Sequence, residues 1–312
     1  MAQELAGRTG LLQAIGRTPV VQLERLVEPG MAEVWVKLES GNPTGSYKDR
    51  MALAMIEGAE QSGRLQPGQT VVEYTAGSTG SSLAFVCTVK GYPLRIVSSD
   101  VYAAEKLRTM SALGAELELI PSPEGITPEL MPAMMARAAE VVEETGGFAT
   151  DQFRNDDMPS GYQALARELL EQLDGRLDAF CAYIGTAGCF TGTTRELRRS
   201  LPELLRVAIE PEESPAISQG RSGTHRIEGG GAGFWPPLLA QSDIDEVATV
   251  STEQAYAMAR RAAREEGLFS GPSTGANLTV ALELARRLGP DARVATVLVD
   301  SGLKYLAGYV YS

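Results

Sequence analysis

Histidine is almost missing from this chain: His225 is the only one in 312 residues. That excludes a multi-histidine metal centre. It also leaves any acid–base chemistry near neutral pH to lysine, carboxylates or a bound cofactor. Cysteine is scarce as well. Cys87, Cys181 and Cys189 form no close-spaced metal pair, and an odd, sparse set does not make a disulfide framework. Basic charge is in deficit: 28 Lys and Arg against 40 Asp and Glu give a net charge of −12. Binding to nucleic acid or to an anionic membrane surface draws on the opposite balance. No apolar run approaches ~20 residues, so no membrane span is expected. The segment Met1–Gly10 lacks the charged-then-apolar plan of a secretory leader. Two nucleotide-binding signatures are absent: there is no G-x-x-x-x-G-K-[ST], and no G-x-G-x-x-G opens a helix near the N-terminus. Gly271–Gly275 (GPSTG) has the spacing of a serine nucleophile elbow, but that arrangement needs a histidine later in the chain, and His225 comes earlier. The expectation is a cytoplasmic protein that handles a small molecule, with neither nucleic acid nor membrane as partner.

Apolar residues make up 44% and charged residues 22%, which suits a folded globular chain. Short β-branched apolar runs alternate with longer amphipathic stretches. The runs predict strands over Val34–Glu39, Thr70–Tyr74, Leu94–Ser98, Glu116–Pro121, Asp178–Ile184, Arg206–Glu210, Glu246–Val250 and Val294–Asp300. Most are continuous rather than alternating, the pattern of strands buried on both faces. The amphipathic stretches predict helices over Asp49–Ser62, Ser81–Lys90, Ala104–Leu113, Glu129–Glu144, Gly161–Leu173, Thr191–Ser200, Thr252–Glu266 and Gly275–Leu288. Strand followed by helix, repeated, is the signature of parallel βαβ units and an α/β fold.

Three glycine-rich segments interrupt this rhythm. Glu73–Gly80 (EYTAGSTG) and Gly185–Gly192 (GTAGCFTG) each follow a strand and precede a helix. Ligands of α/β sheets bind at such turns, where free N–H groups and the helix dipole favour anions. Two in one chain point to a ligand set with two anionic ends. The third, Gly229–Gly233 (GGGAG), reads as an irregular loop walling a site. Lys48 stands in Gly41–Arg50 (GNPTGSYKDR), at the start of a helix after a Pro–Thr–Gly–Ser turn. A helix N-terminus disfavours a cation, which favours the free amine that Schiff-base chemistry needs. Two anion loops and such a lysine suit an aldehyde cofactor bearing a phosphate and a substrate bearing a carboxylate: pyridoxal 5′-phosphate and an amino acid.

At these motifs the sequence resembles the cysteine synthase (O-acetylserine sulfhydrylase)/cystathionine β-synthase family of fold-type-II pyridoxal-phosphate enzymes. The likeness runs from Ile15–Val20 (IGRTPV) to Asp300–Leu306 (DSGLKYL). It implies two three-layer α/β/α domains, as in the tryptophan synthase β-subunit, with the cofactor in the cleft between them. The smaller, mobile domain is expected over 41–155; 1–40 with 156–312 forms the larger, cofactor-binding one. The resemblance makes Lys48 the Schiff-base lysine and catalytic base. It places Thr75, Ala76, Gly77, Ser78 and Thr79 on the loop for the substrate carboxylate, with Gln152 of TDQF as a further partner and Ser78 also touching the cofactor. Gly185, Thr186, Ala187, Gly188 and Cys189 become the phosphate cradle, Ser273 the partner of the pyridine nitrogen, and Glu210–Phe234 the loop over the cofactor.

The implied activity is β-replacement on a serine-type amino acid such as O-acetylserine, serine or cysteine, through an aminoacrylate, with a small nucleophile as second substrate and a homodimer as the assembly. The chain departs from the family at Tyr74, Ala76 and Ser78, where proline, serine and asparagine are usual. Tyr47, Ala187 and Cys189 differ as well. Ser78 lacks an amide donor, and the Tyr74 or Tyr47 phenol is expected to replace the lost contact and to reshape the pocket toward a non-standard donor or nucleophile. The alternatives are a β-elimination lyase (serine/threonine dehydratase or cysteine desulfhydrase) and, more remotely, a non-catalytic cofactor-bound scaffold.

Overall fold

A computed structural model describes residues 10–123, 127 and 129–312; the expectation drawn from Met1–Gly10 lies almost wholly outside them. In chain order the regular elements are β1 (Val20–Gln22), β2 (Glu33–Leu38), α1 (Lys48–Gln61), β3 (Val71–Tyr74), α2 (Ser78–Lys90) and β4 (Leu94–Ser99). Then come α3 (Ala104–Ala112), β5 (Glu116–Ile120), α4 (Leu130–Thr145), β6 (Phe148–Ala149), α5 (Ser160–Gln172) and β7 (Ala179–Tyr183). The chain continues through α6 (Gly188–Ser200), β8 (Leu205–Pro211), β9 (Glu246–Val250), α7 (Thr252–Arg261), α8 (Pro272–Leu288) and β10 (Arg293–Leu298).

The chain folds as two compact units. One holds residues 42–161 and the described residues up to Ile15; the other holds 16–41 and 162–312. The first is built on a four-stranded parallel sheet in the order β5-β4-β3-β6. Its central strand β3 is buried along its whole length, while the edge strand β5 is not. Val72, Tyr74 and Val97 pack there against Leu130, Met134, Ala138 and Val141 of α4. The second unit has a six-stranded sheet in the order β1-β2-β10-β7-β8-β9, parallel except for the β1–β2 pair. β7 is entirely buried, and β8 and β10 nearly so, with α8 packed against them through Leu278, Val280, Ala281 and Leu284. Continuous apolar strands thus sit where both faces are covered.

All eight expected strands and all eight expected helices are present. β1 and β6, at three and two residues, are too short to carry a period and were not expected. Three helices start three residues earlier than their apolar pattern: α2 at Ser78, α6 at Gly188 and α8 at Pro272. α2 and α8 open on Ser, Thr, Gly and Pro, and α6 opens on Gly188, Cys189 and Phe190 in a turn buried all round, so no amphipathic alternation marks these first turns. Each glycine-rich segment before α2 and α6 is therefore part loop and part first helical turn. Among the described residues no helix is long and apolar enough to cross a membrane, no group of ligating side chains could hold a metal, and all three cysteines are free and buried.

Candidate active site

In the first unit, Asn42–Tyr47 is a turn tied to the helix it opens. Gly45 N–H donates to the Asn42 carbonyl at 2.8 Å, with Gly45 in the left-handed region at φ +72°. Asp49, in the first turn of α1, accepts from Thr44 N–H at 2.8 Å and from Thr44 Oγ1 at 2.5 Å. This fixes Lys48 as the first residue of a 14-residue helix. Its side chain is buried; Nζ lies 3.9 Å from Met51 Sδ and 5.2 Å from the centroid of the Tyr47 ring.

Past β3 the chain turns into α2. Thr75 N–H donates to the Val97 carbonyl at 3.1 Å, and Thr75 Oγ1 accepts from Gly77 N–H at 3.1 Å. Gly77 is the N-cap, and a side chain on it would run into Lys106 of α3. The N–H groups of Ser78 and Thr79 open the helix and point out of its end, which suits a carboxylate. Over 71–87 only Ala76 and Ser78 escape full burial. Thr79 Oγ1 donates to Gln152 Oε1 at 2.7 Å, and Gln152 Nε2 donates to the Tyr74 carbonyl at 3.2 Å. An amide nitrogen has two hydrogens, so one N–H of Gln152 is left for an incoming carboxylate. The loop Thr75, Ala76, Gly77, Ser78 and Thr79 and the side chain of Gln152 thus lie together.

Tyr74 does something other than expected. Its ring belongs to the core over β3 and β4, and its hydroxyl donates to Asp151 Oδ1 at 3.3 Å. Its phenol is engaged with Asp151, beside Gln152. Next to it, Glu73 is fully buried and was not singled out from the sequence. Its carboxylate accepts from Thr150 Oγ1 at 2.7 Å, from Gln152 N–H at 3.1 Å and from Tyr74 N–H at 2.9 Å. Asp151, caught between these contacts, is in the left-handed region at φ +42°. Glu73 and Tyr74 together clamp the dipeptide that presents Gln152.

In the second unit, β7 leads into the loop Gly185–Ala187 and then α6. Gly185 lies so close to the loop of 229–233 that a side chain would press on the Gly229 carbonyl oxygen at 2.7 Å. Thr186 is buried, Ala187 is the N-cap, and Gly188 and Cys189 form the first helical turn. The N–H groups at this helix start form a cradle of the kind that takes phosphate. Ala187 is held at φ +70° although it is not glycine. Ser273 is the second residue of α8, behind Pro272 at a position where a missing N–H costs nothing. Its Oγ is buried and has no hydrogen-bond partner. Such an orphan costs about 1–3 kcal/mol, which a ligand acceptor or donor recovers. Gly229, at φ +101°, would carry a side chain 3.5 Å from this same Oγ. A cradle of helix-end N–H groups and the unpaired Ser273 hydroxyl, in one unit, fit a phosphate and a ring nitrogen. His225 is spent on its own loop: Nε2 lies 2.9 Å from the Gly231 carbonyl and Nδ1 accepts from Ile227 N–H at 3.2 Å.

Two consequences are measurable. Burial pushes the Glu73 carboxyl up from its ordinary 4.5 to about 8, against its hydrogen bonds. The native state therefore holds a proton that the unfolded chain releases, so stability from this group is present below 4.5 and lost as pH rises through about 8. Glu73→Gln should flatten the fall of Tm over that window; equal slopes for variant and parent contradict the assignment. At Ala187, a left-handed alanine costs roughly 1–2 kcal/mol. Replacement by glycine adds about 0.4–1 kcal/mol of unfolded-state entropy. Ala187→Gly should leave a net gain of up to about 1 kcal/mol in urea unfolding, and a loss would refute the strain.

Comparison with known proteins agrees with this architecture. A family model described as "Pyridoxal-phosphate dependent enzyme" matches residues 11–300. A protein named cysteine synthase from Staphylococcus aureus is 42% identical over 304 residues, 97% of this chain and 96% of its own. The crystal structure of O-ureido-L-serine synthase superimposes with a TM-score of 0.91 at 37% identity, covering 97% of this chain and 95% of that one. That of an O-acetylserine-dependent cystathionine β-synthase from Helicobacter pylori gives 0.90 at 34% identity, covering 98% and 99%. With a model spanning nearly the whole chain and relatives this similar end to end, the chain belongs to the pyridoxal-phosphate-dependent enzymes, in their cysteine synthase-like, fold-type-II branch.

Proposed function

We propose that the protein carries out β-replacement on a serine-type amino acid of the O-acetylserine class and delivers the resulting three-carbon unit to a nucleophile other than sulfide. The observation that carries this reading is Lys48: a buried amine at the head of α1, in the same unit as a helix end built to take a carboxylate. When bound, pyridoxal phosphate supplies an aldehyde that captures amines reversibly and a ring that acidifies the α-proton. Lys48 Nζ would hold this aldehyde, and the same amine would serve as base for the α-proton of the substrate. The α2 N–H groups, Thr79 and Gln152 hold and orient the carboxylate. Gly185, Thr186, Ala187, Gly188 and Cys189 hold the phosphate. Ser273 Oγ is neutral, so it leaves the ring nitrogen largely unprotonated, which suits β-elimination and re-addition better than transamination.

The nucleophile is read from Ala76 and Ser78, the half-open positions of the carboxylate loop. Both are small where the family carries serine and asparagine, and Tyr74 does not fill the space because its hydroxyl is engaged by Asp151. The relatives make three different products by their names, so a serine skeleton with a variable β-substituent suits this scaffold. A homodimer and a cytoplasmic setting belong to the same reading. Leu303, Leu306 and Tyr309 stand exposed in one short stretch that a second copy would cover.

Borohydride reduction and peptide mapping should place the cofactor on Lys48, and an adduct on another lysine removes it from that role. In a panel of sulfide, thiols, hydroxylamines and ureas with O-acetylserine, a nucleophile other than sulfide should give the highest kcat/KM. Ser78→Asn should move preference toward sulfide. Sulfide ranking first by a wide margin defeats the nucleophile assignment; pyruvate and ammonia as the sole products assign elimination. Sedimentation at working concentration should give twice the chain mass, and a monomer excludes the dimer.

A further inference from the structure

Two buried hydroxyls without hydrogen-bond partners sit close in sequence at the head of α8: Ser270 Oγ and Ser273 Oγ. The turn that carries both is fixed from an unexpected direction. Tyr311, the penultimate residue, donates its phenol proton to the Ser270 carbonyl at 2.6 Å and accepts from Ser270 N–H at 3.2 Å. Its ring packs on Phe269, with centroids 4.8 Å apart. The same terminal stretch adds backbone contacts: Ser301 bridges Ser270, and Gly271 N–H donates to the Asp300 carbonyl at 3.3 Å. Tyr305 donates to Asp300 Oδ2 at 2.8 Å, and a side chain on Gly271 would collide with both. The tail is itself held, since Arg260 donates to the Val310 carbonyl at 3.0 Å and Val310 is buried with Ala259 and Tyr305.

A hydroxyl in the first turn of a helix can only go where the start of that helix puts it. Rotation about χ1 moves Oγ among three staggered sites; it does not correct a displaced backbone. A hydrogen bond to a ligand requires placement to within about 0.5 Å. Here a single phenol serves both peptide groups of Ser270, as a neighbouring strand would, three residues before Ser273.

We propose that Tyr311 is a positioning residue for the cofactor. The chain end from Asp300 to Tyr311 braces the turn before α8, fixes where Ser273 Oγ meets the ring nitrogen, and so sets how tightly the apoprotein takes up pyridoxal phosphate and how the bound cofactor absorbs. The proposal rests on the assignment of Ser273 to the ring nitrogen made above.

Tyr311→Phe keeps the ring and its packing on Phe269 but removes both hydrogen bonds. The experiment titrates pyridoxal phosphate into apoprotein of the parent, Tyr311→Phe, Ser273→Ala and the double variant, recording Kd and visible spectrum, with the Tm of each apoprotein alongside. Tyr311→Phe should weaken binding by roughly three- to tenfold, the worth of one hydrogen bond, and shift the visible band. In the Ser273→Ala background it should add no further loss. A tail that merely supports the fold would lower Tm and leave the band in place. Parental Kd and spectrum in Tyr311→Phe, with Ser273→Ala impaired, overturn the brace alone; so does an equal loss in both backgrounds. Ser273→Ala matching the parent overturns the Ser273 assignment and the brace with it. Arg260→Gln, which releases the Val310 carbonyl, is the second variant should Tyr311→Phe not fold, and it should move Kd and spectrum in the same direction.

Discussion

An α-helix cannot satisfy its own first N–H groups, and the chemistry of this chain depends on where those groups are left. α2 and α6 each begin a few residues past the end of a buried parallel strand, β3 and β7. Their donors are main-chain N–H groups at the helix starts. A protein of net charge −12 can therefore offer two anion sites made of main chain and hydroxyls. The demand for closeness explains the residue types. Gly185 must lie against the Gly229 carbonyl, and Gly77 must leave room for Lys106.

Such loops have little to hold them in place, and each is held from behind. Asp49 ties the turn before Lys48, Glu73 and Tyr74 clamp the segment bearing Gln152, and Tyr311 grips the turn before Ser273. Glu73 is the costliest of these supports, because a carboxyl is taken wholly out of water to meet two backbone N–H groups and a hydroxyl. What it gains is a fixed path through Asp151, a residue that does not favour its observed backbone conformation.

Much of this was legible in the sequence. The eight long strands and eight helices follow from periodicity, and the glycine-rich loops and Lys48 follow from turn chemistry and their place between elements. Helix starts at Ser78, Gly188 and Pro272 were not legible, because their first turns show no amphipathic alternation. The braces were hidden for a different reason. Glu73 lies 77 residues from Thr150, and Tyr311 lies 41 from Ser270, so only the tertiary fold pairs them. One local hint existed: Glu73 is a carboxylate inside a strand run, VVEY, that is otherwise apolar and buried. The phenol of Tyr74 was expected at the substrate, since it stands next to the loop assigned to the substrate carboxylate. Strand alternation puts it instead on the face toward α4.

The packing of α3 under the loop 75–79 bears on where this stretch can vary. Lys106 occupies the space beside Gly77, and Met110 does so beside Gly80. Thr75 and Thr79 are tied into the hydrogen bonds that shape the loop. Over 71–87, Ala76 and Ser78 alone are not fully buried. Room for a change of side-chain size is thereby concentrated at two partly exposed positions on either side of Gly77. A lineage could exchange one reaction partner for another in very few mutational steps while the apparatus for holding the amino acid stayed intact.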